Sequence, residues 1–214
     1  KRQGRARANL ALFSYDYENL QFQATDPDPY RGGVANIPES EMTGFEAELT
    51  ALLTDSLSLD MNLAFLDSEV SSDYDVLDNV DAYQYFFGQE DLRYNLKENV
   101  KGNALAKSPE FTADISMVYE SVLSSGTEFT GVVQYVRRGE FQQRVSNNPL
   151  VDNIKAYNIL NLTANYDFVG DTWGLDLMLL NATGVEGVNS SMTDVFGVAA
   201  TGLEYIAPRQ FMVR

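Results

Sequence analysis

Apolar and polar residues alternate along most of the chain, and this period of two restricts the fold more than any other feature of the sequence. In one stretch Phe45, Ala47 and Leu49 are separated by Glu46 and Glu48. Successive side chains of a β-strand point to opposite faces, so the pattern predicts a strand with one apolar face. No part of the chain shows a convincing helical period.

The alternation recurs in three pairs of predicted strands. Short turns near residues 54–56, 124–126 and 169–172 join the two strands of each pair, which is typical of β-hairpins. In the predicted strands the apolar phase takes every second residue of Phe45–Leu53, Leu57–Phe65, Phe111–Tyr119, Phe129–Tyr135, Leu160–Phe168 and Trp173–Leu179.

One further strand is predicted at each end of the chain, which brings the number to eight. The opening strand lies around Ala8–Phe22, where Phe13, Tyr15 and Tyr17 alternate with polar residues, and the closing strand starts at Arg209. Long connections are predicted near residues 24–42, 69–109, 138–155 and 182–208. Short turns and long loops therefore alternate, and we expect them at opposite ends of the strands.

Basic residues are absent from the alternating stretches. No Lys or Arg occurs in residues 42–72, 108–136 or 156–208. A cation on the lipid-facing side of a barrel costs about 2–4 kcal/mol at the bilayer midplane, whereas solvent-facing strands of soluble proteins usually carry some lysines. The sequence thus favours membrane-spanning strands over a secreted β-sandwich, which would show the same alternation.

Carboxylates do occur inside the predicted strands, always on the polar phase. We expect them to face a wet barrel interior. The candidate lumen-facing residues are Glu46, Glu48, Asp60, Asp114 and Asp176.

Composition excludes most other functions. The chain has 15 Lys+Arg against 31 Asp+Glu, a formal charge of −16, which disfavours nucleic acid as a partner. Without Cys or His it has no thiol nucleophile, no histidine base and no Cys/His metal site. Scattered carboxylates along a wall do not form the focused pair that a glycosidase needs. We therefore predict no enzyme activity, no cofactor and no metal.

Five short motifs occur in order along the chain, at Asn36–Leu49, Ser108–Phe111, Tyr157–Leu162, Leu179–Ala182 and Ala207–Arg209. In the first motif a small residue and a glycine precede a strand that reads G-[FVI]-E-x-E. In this order the motifs resemble the TonB-dependent outer-membrane receptor family, in the C-terminal part of its β-barrel.

The resemblance implies an all-β fold in which residues 1–214 supply about eight antiparallel strands of a 22-stranded transmembrane barrel in the bacterial outer membrane. The plug domain and the earlier strands would not be part of these residues. The lumen-facing carboxylates would line a substrate route or bond to the plug, and the resemblance favours the second role because a plug fills the barrel in this family. The implied function is energy-coupled import of a scarce ligand, such as a siderophore, cobalamin or an oligosaccharide. The implied partners are this ligand, the protein's own plug, the TonB energy-transducing complex acting through the plug, membrane lipid and lipopolysaccharide.

The long loops would lie outside the cell and contribute to ligand recognition. The loop near 69–107 is rich in aromatic residues, which would stack on a ligand or form a small loop core. The candidate ligand-binding residues there are Tyr83, Tyr85, Phe86, Phe87 and Tyr94.

Charged residues in the loops have alternative interpretations. Asp73, Asp75, Asp78 and Asp81 are spaced as calcium ligands are, but Asp78 stands where an EF-hand needs glycine, so a solvated acidic loop is favoured. A group of cations would contact an anionic ligand or lipopolysaccharide phosphates, or would simply be excluded from the lipid-facing band. This group comprises Arg137, Arg138, Arg144 and Lys155.

Two alternatives to an import receptor stay open. Eight strands suffice to close a small barrel with a structural or adhesive role. A secreted β-sandwich that binds carbohydrate through its loop aromatics would also contain alternating strands.

Overall fold

The structure is a computed structural model that describes residues 5–27, 30–78, 80, 97–168, 170, 173–193 and 200–214. The elements given in full by these ranges are fourteen β-strands: β1 (Ala6–Pro27), β2 (Tyr30–Leu52), β3 (Leu57–Val70), β4 (Asp75–Leu77), β5 (Lys97–Asn99), β6 (Phe111–Val122), β7 (Glu128–Arg138), β8 (Phe141–Gln142), β9 (Asn153–Ile154), β10 (Tyr157–Asp167), β11 (Gly174–Leu180), β12 (Val188–Thr193), β13 (Thr201–Tyr205) and β14 (Gln210–Val213). Within these described ranges, no helix has the length and apolar character needed to cross a bilayer.

Eight strands form one antiparallel sheet, which we call the wall. Its order is β1-β2-β3-β6-β7-β10-β11-β14, so strands that follow one another along the chain are neighbours in space, apart from the small hairpins in the loops. This confirms the predicted eight-stranded all-β fold. Among the described residues β1 does not pair with β14, and no second sheet of comparable size packs on the wall. The wall is thus neither a closed eight-stranded barrel nor a sandwich.

The predicted short turns join strands at one end of the wall. After β2, the amides of Leu53 and Thr54 donate to the carbonyl of Leu57 at 2.8 and 3.1 Å. After β6, the turn includes Gly126, whose φ of +85° lies in the left-handed region that glycine enters without steric cost. The long connections therefore lie together at the opposite end, as expected.

The two faces of the wall differ in polarity. The strand register aligns Phe45 with Phe65, Leu59 with Met117 and Val133 with Leu162 on one side, which we call the apolar face. Large apolar side chains on this face are open to the surroundings: Leu12, Phe65 and Val133 are 77%, 43% and 46% exposed. An extended, exposed apolar face is typical of a surface that lipid or another protein covers.

The predicted loop over residues 24–42 is wrong. The β1–β2 ladder continues without a change of register to the pair formed by Pro27 and Tyr30. Beyond Leu12 and Phe45 the next three pairs on the apolar face are polar: Ser14 with Thr43, Asp16 with Glu41 and Glu18 with Glu39. Strands that leave the membrane have water on both sides, so their backbone pairing continues while the alternation of polarity disappears.

The other three long connections contain two-stranded hairpins of their own. β4 pairs with β5, β8 with β9 and β12 with β13. Buried apolar residues from several connections and from the outer part of β2 pack into one cluster, against which Leu20, Phe22 and Tyr74 also pack. This loop core comprises Ile37, Val70, Val76, Val100, Leu105 and Val145.

Candidate functional site: the polar face and the outer loops

The five carboxylates predicted to face the barrel interior all lie on the polar face of the wall. The register pairs Glu46 with Ala64, Glu48 with Asn62, Asp60 with Thr50, Asn62 with Asp114 and Asp176 with Asn165. A strand pair keeps opposed side chains on the same side of a sheet, so these acids share one surface.

Part of this surface is a chain of side-chain hydrogen bonds that crosses four strands. Gln134 on β7 donates to Asp114 on β6 at 3.0 Å and accepts from Asn161 on β10 at 3.0 Å. The oxygen of Asn161 in turn accepts from the amide of Asn181 at 2.9 Å. Asn181 lies just after β11 with a φ of +47°, and its side chain bonds to Val185. This chain of hydrogen bonds, which we call the relay, therefore fixes the point at which the last long loop leaves the wall.

The predicted carboxylates differ in their partners. Glu48 accepts from Asn9 at 2.9 Å, and Asp176 accepts from Asn165 and Arg214 at 2.6 and 2.8 Å. Within the part of the chain that the structure describes, Glu46 and Asp60 make no side-chain hydrogen bond or ion pair. Glu48, Asp114 and Asp176 thus bond within the wall, whereas Glu46 and Asp60 have no such partner among the described residues.

An aromatic ladder also lies on the polar face. The rings of Phe13, Tyr15 and Tyr17 follow one another along β1 with centroid distances of 5.4 and 5.8 Å. Tyr15 and Tyr17 are 50% and 38% exposed. The sequence identified these rings by their alternation with polar residues, and the pairing of Phe13 with Gly44 places them on the polar face.

The position of the aromatic ladder relative to the apolar band follows from the residues on the other face of β1. On the apolar face Leu12 pairs with Phe45, whose ring stacks on Phe65 at 5.9 Å. The next residues on that face are Ser14 and Asp16. Tyr15 and Tyr17 therefore lie beyond the apolar band, on the inner side of the strand.

A buried ion-pair network holds two outer loops together. Arg144 donates to Asp152 at 2.6 Å and to Asp78 at 3.1 Å. The two carboxylates are 0% and 1% exposed as side chains, and Arg144 is 17% exposed. Asn148 completes the arrangement, since its amide group donates to Asp78 and its backbone amide donates to Asp152.

Burial and ion pairing shift the pKa values of Arg144 and Asp152 in opposite directions. Burial alone would lower the pKa of Arg144, but its hydrogen bond to Asp152 and the two negative charges raise this pKa overall. Burial raises the pKa of Asp152, and the hydrogen bond from Arg144 opposes that effect. The arginine therefore stays charged, and the network depends on the ion pair being complete.

Hydrogen bonds next to the network join the same loops. Asn103 donates to the carbonyl of Val145 at 2.9 Å, and the side chain of Asn147 both accepts from and donates to the backbone of Ala104. The described parts of the connection after β3 and the connection after β7 are thus joined into one unit at the end of the wall, which we call the loop platform.

The structure sorts the charged loop residues into distinct roles. Asp73 bonds to Asn99 and Lys101, whereas Asp78 is buried in the network, so the predicted solvated acidic loop is wrong for Asp78. Ion pairing offsets the cost of burying that charge. Asp75 is exposed, and Asp81 lies outside the described residues. Within the described ranges no group of three or more acidic residues has the geometry of a metal site.

The four cations that sequence reasoning grouped together also separate. Arg138 donates to Asn189 and lies over the ring of Phe141 at 4.2 Å, while Arg144 belongs to the network. Arg137 and Lys155 make no ion pair with a described residue. The aromatic candidates Tyr83, Tyr85, Phe86, Phe87 and Tyr94 lie outside the described residues.

Architecture and surface together define a class. A wall of antiparallel strands, with one exposed apolar face, one polar face carrying carboxylates, short turns at one end and ordered loops at the other, is part of a transmembrane β-barrel. The sequence matches the family model "TonB dependent receptor-like, beta-barrel" over residues 1–183. The chain therefore belongs to the TonB-dependent receptor β-barrel family, as its motifs predicted, and is a segment of an outer-membrane barrel.

Solved structures share this fold at low sequence identity. The siderophore receptor PiuA from Acinetobacter baumannii is 19% identical with a TM-score of 0.68, and the match covers 98% of this chain and 25% of PiuA. The ferric yersiniabactin uptake receptor FyuA from Yersinia pestis is 14% identical with a TM-score of 0.72, covering 99% and 27%. The ferric preacinetobactin receptor BauA from Acinetobacter baumannii is 12% identical with a TM-score of 0.63, covering 98% and 27%.

The chain thus spans about a quarter of the length of the solved structures it matches. No curated protein matches it in sequence. The family and these neighbours are receptors, not enzymes.

Proposed function

We propose that this chain is part of the barrel of an energy-coupled importer that takes up a scarce ligand, with ferric siderophores as the first class to test. The observation that carries the proposal is family membership combined with an ordered loop platform at the end of the wall opposite the short turns. Structural neighbours that are siderophore or ferric-chelate receptors support the choice of ligand. Cobalamin and oligosaccharides are the other ligand classes.

The proposed import needs a plug and an energy supply. Glu46 and Asp60 are the acids we propose to contact the protein's own plug, since they have no partner among the described residues of the wall. The plug would in turn engage the TonB energy-transducing complex. The platform, and the aromatic residues Tyr83, Tyr85, Phe86, Phe87 and Tyr94 of the same loop region, would contribute to ligand recognition on the outside.

Uptake by whole cells tests this proposal. The full-length protein would be expressed in cells that lack other ferric-chelate receptors, and the accumulation of radioactive iron from a panel of ferric siderophores would be measured. We expect accumulation of at least one chelate that stops when the inner-membrane proton gradient is dissipated. Continued accumulation without the gradient would contradict coupled import, and the absence of uptake of every chelate would refute the ligand class.

We also predict that the aromatic ladder contributes to ligand binding. Replacing both Tyr15 and Tyr17 with alanine should weaken binding of a ring-containing ferric chelate by roughly tenfold or more, because stacked aromatic contacts are worth about 0.5–1.5 kcal/mol each. Tyr119→Ala is the matched control, since Tyr119 is similarly exposed but lies on the apolar face. Binding would be measured by titrating the purified full-length protein. Equal affinity of the two variants would exclude the ladder from the ligand site.

A further inference from the structure

The relay on the polar face has a fixed direction. It starts at the carboxylate of Asp114, which only accepts hydrogen bonds when ionised, and it ends at the backbone amide of Asn181, which only donates. Gln134 therefore turns its nitrogen to Asp114 and its oxygen to Asn161, both at 3.0 Å. Asn161 in turn keeps its oxygen toward Asn181, at 2.9 Å. Each of the two amide side chains is thus held in one orientation by the groups at the ends of the relay.

At one end of the relay, Asn181 anchors the last long loop where it leaves the wall and where it returns. Its side-chain nitrogen donates to the carbonyl of Val185 at 2.9 Å and to the carbonyl of Ala207 at 3.1 Å. Its side-chain oxygen accepts from the backbone amide of Val185 at 2.9 Å. Asn181 is only 3% exposed, so water does not readily replace these bonds. Both ends of the loop therefore depend on the position of one residue.

At the other end of the relay, Asp114 is open to the barrel interior. It lines a cavity of about 510 Å³ on the polar face, together with Glu46, Glu48 and Arg138. An ionised carboxylate has about four acceptor sites, and Gln134 contacts each of its two oxygens once. A cationic group in the cavity can therefore reach Asp114. It would compete with the neutral amide of Gln134, because a hydrogen bond from a charged donor is roughly twice as strong as one between neutral groups.

We propose that the relay couples the charge at Asp114, on the inner surface of the barrel, to the anchoring of the last outer loop. While the carboxylate holds Gln134, the relay is complete and the amide of Asn181 is fixed. When a cation pairs with Asp114, or its charge is removed, Gln134 is released to turn and Asn161 loses its acceptor. Hydrogen bonds in a chain polarise one another, so this change weakens the bond at Asn181 as well. The coupling concerns one loop and the inner surface, and it stands apart from the ligand class proposed above.

Hydrogen exchange at the base of the last loop, measured in the full-length protein, tests the coupling. Asp114→Asn should accelerate exchange of the backbone amides of Asn181 and Val185 about tenfold, the scale of losing one hydrogen bond that holds a local structure. In a Gln134→Ala background the same substitution should have no further effect, because the relay is already interrupted. Mass spectrometry of peptides covering residues 181–187 would measure the exchange. An equal effect of Asp114→Asn in both backgrounds would overturn the proposal.

Substitutions at two other acids separate the relay from a general effect of charge. Glu120 lies on the same face of the same strand as Asp114 and makes no side-chain hydrogen bond with a described residue, so Glu120→Gln should leave exchange at Asn181 as in the parent protein. Glu46→Lys brings a cation into the cavity without removing a described bond, and it should accelerate exchange by a factor similar to that of Asp114→Asn. Glu120→Lys should not. Unchanged exchange in Glu46→Lys, or equal acceleration by the two lysine variants, would refute the coupling.

Discussion

Arg144→Met should loosen the loop platform more than any other single substitution in the described loops. It would leave Asp78 and Asp152 buried without their cation, and removal of one partner from a buried ion pair typically costs about 3–5 kcal/mol. In the full-length protein, hydrogen exchange of the backbone amides of Asn148 and Asp152 should therefore accelerate by a factor of about 100 or more. Mass spectrometry of exchanged peptides measures this directly.

Two further variants make the result interpretable. Lys101→Met breaks an exposed ion pair with Asp73, which is worth about 0–1 kcal/mol, so exchange should change little. Adding Asp78→Asn and Asp152→Asn to Arg144→Met removes the uncompensated charges and should restore part of the protection. If Lys101→Met and Arg144→Met accelerate exchange equally, the buried network does not hold the loops together.

Val133→Arg should impair folding into the membrane strongly, while Val132→Arg should not. The two valines are neighbours on β7, but Val133 lies on the apolar face opposite Met117, and Val132 lies on the polar face opposite Val118. An arginine in contact with lipid near the midplane costs about 2–4 kcal/mol, and lumen positions tolerate charge. The folded fraction after insertion into bilayers would be read from the heat-dependent gel mobility of the full-length protein.

Comparing two identical substitutions on adjacent residues isolates the face as the variable. Val133→Leu controls for size on the apolar face and should fold as the parent does. A larger loss for Val132→Arg than for Val133→Arg would mean that the assignment of the two faces is inverted.

The membrane-spanning part of the fold was predictable because lipid imposes a rule on every second residue. Within the hydrocarbon layer the apolar phase, the absence of cations and the short turns all indicated the same strands, and the register of β2, β3 and β6 agrees with them. Outside that layer the rule no longer holds. The parts of β1 and β2 that lie within residues 24–42, and the two-residue strands β8 and β9, therefore left no period to detect.

The loop network was not predictable for a different reason. Arg144 and Asp78 are separated by 66 positions in the sequence, and only the folding of two loops against each other brings them together. Acidic residues in a polar loop are usually solvated, and nothing local distinguishes Asp78 from Asp73 or Asp75. The relay from Asp114 to Asn181 was equally hidden, because it depends on the register of four strands.

Gly44 links one of the family motifs to the packing of two strands. A Cβ at this position would meet the backbone carbonyl oxygen of Phe65 and, at 2.7 Å, the ring of Phe13. The carbonyl alone requires glycine there, and the ring of Phe13 covers the space that the missing side chain leaves. Among descendants of a common ancestor the two positions are thus unequal, because the backbone carbonyl requires the glycine whether or not the ring is present.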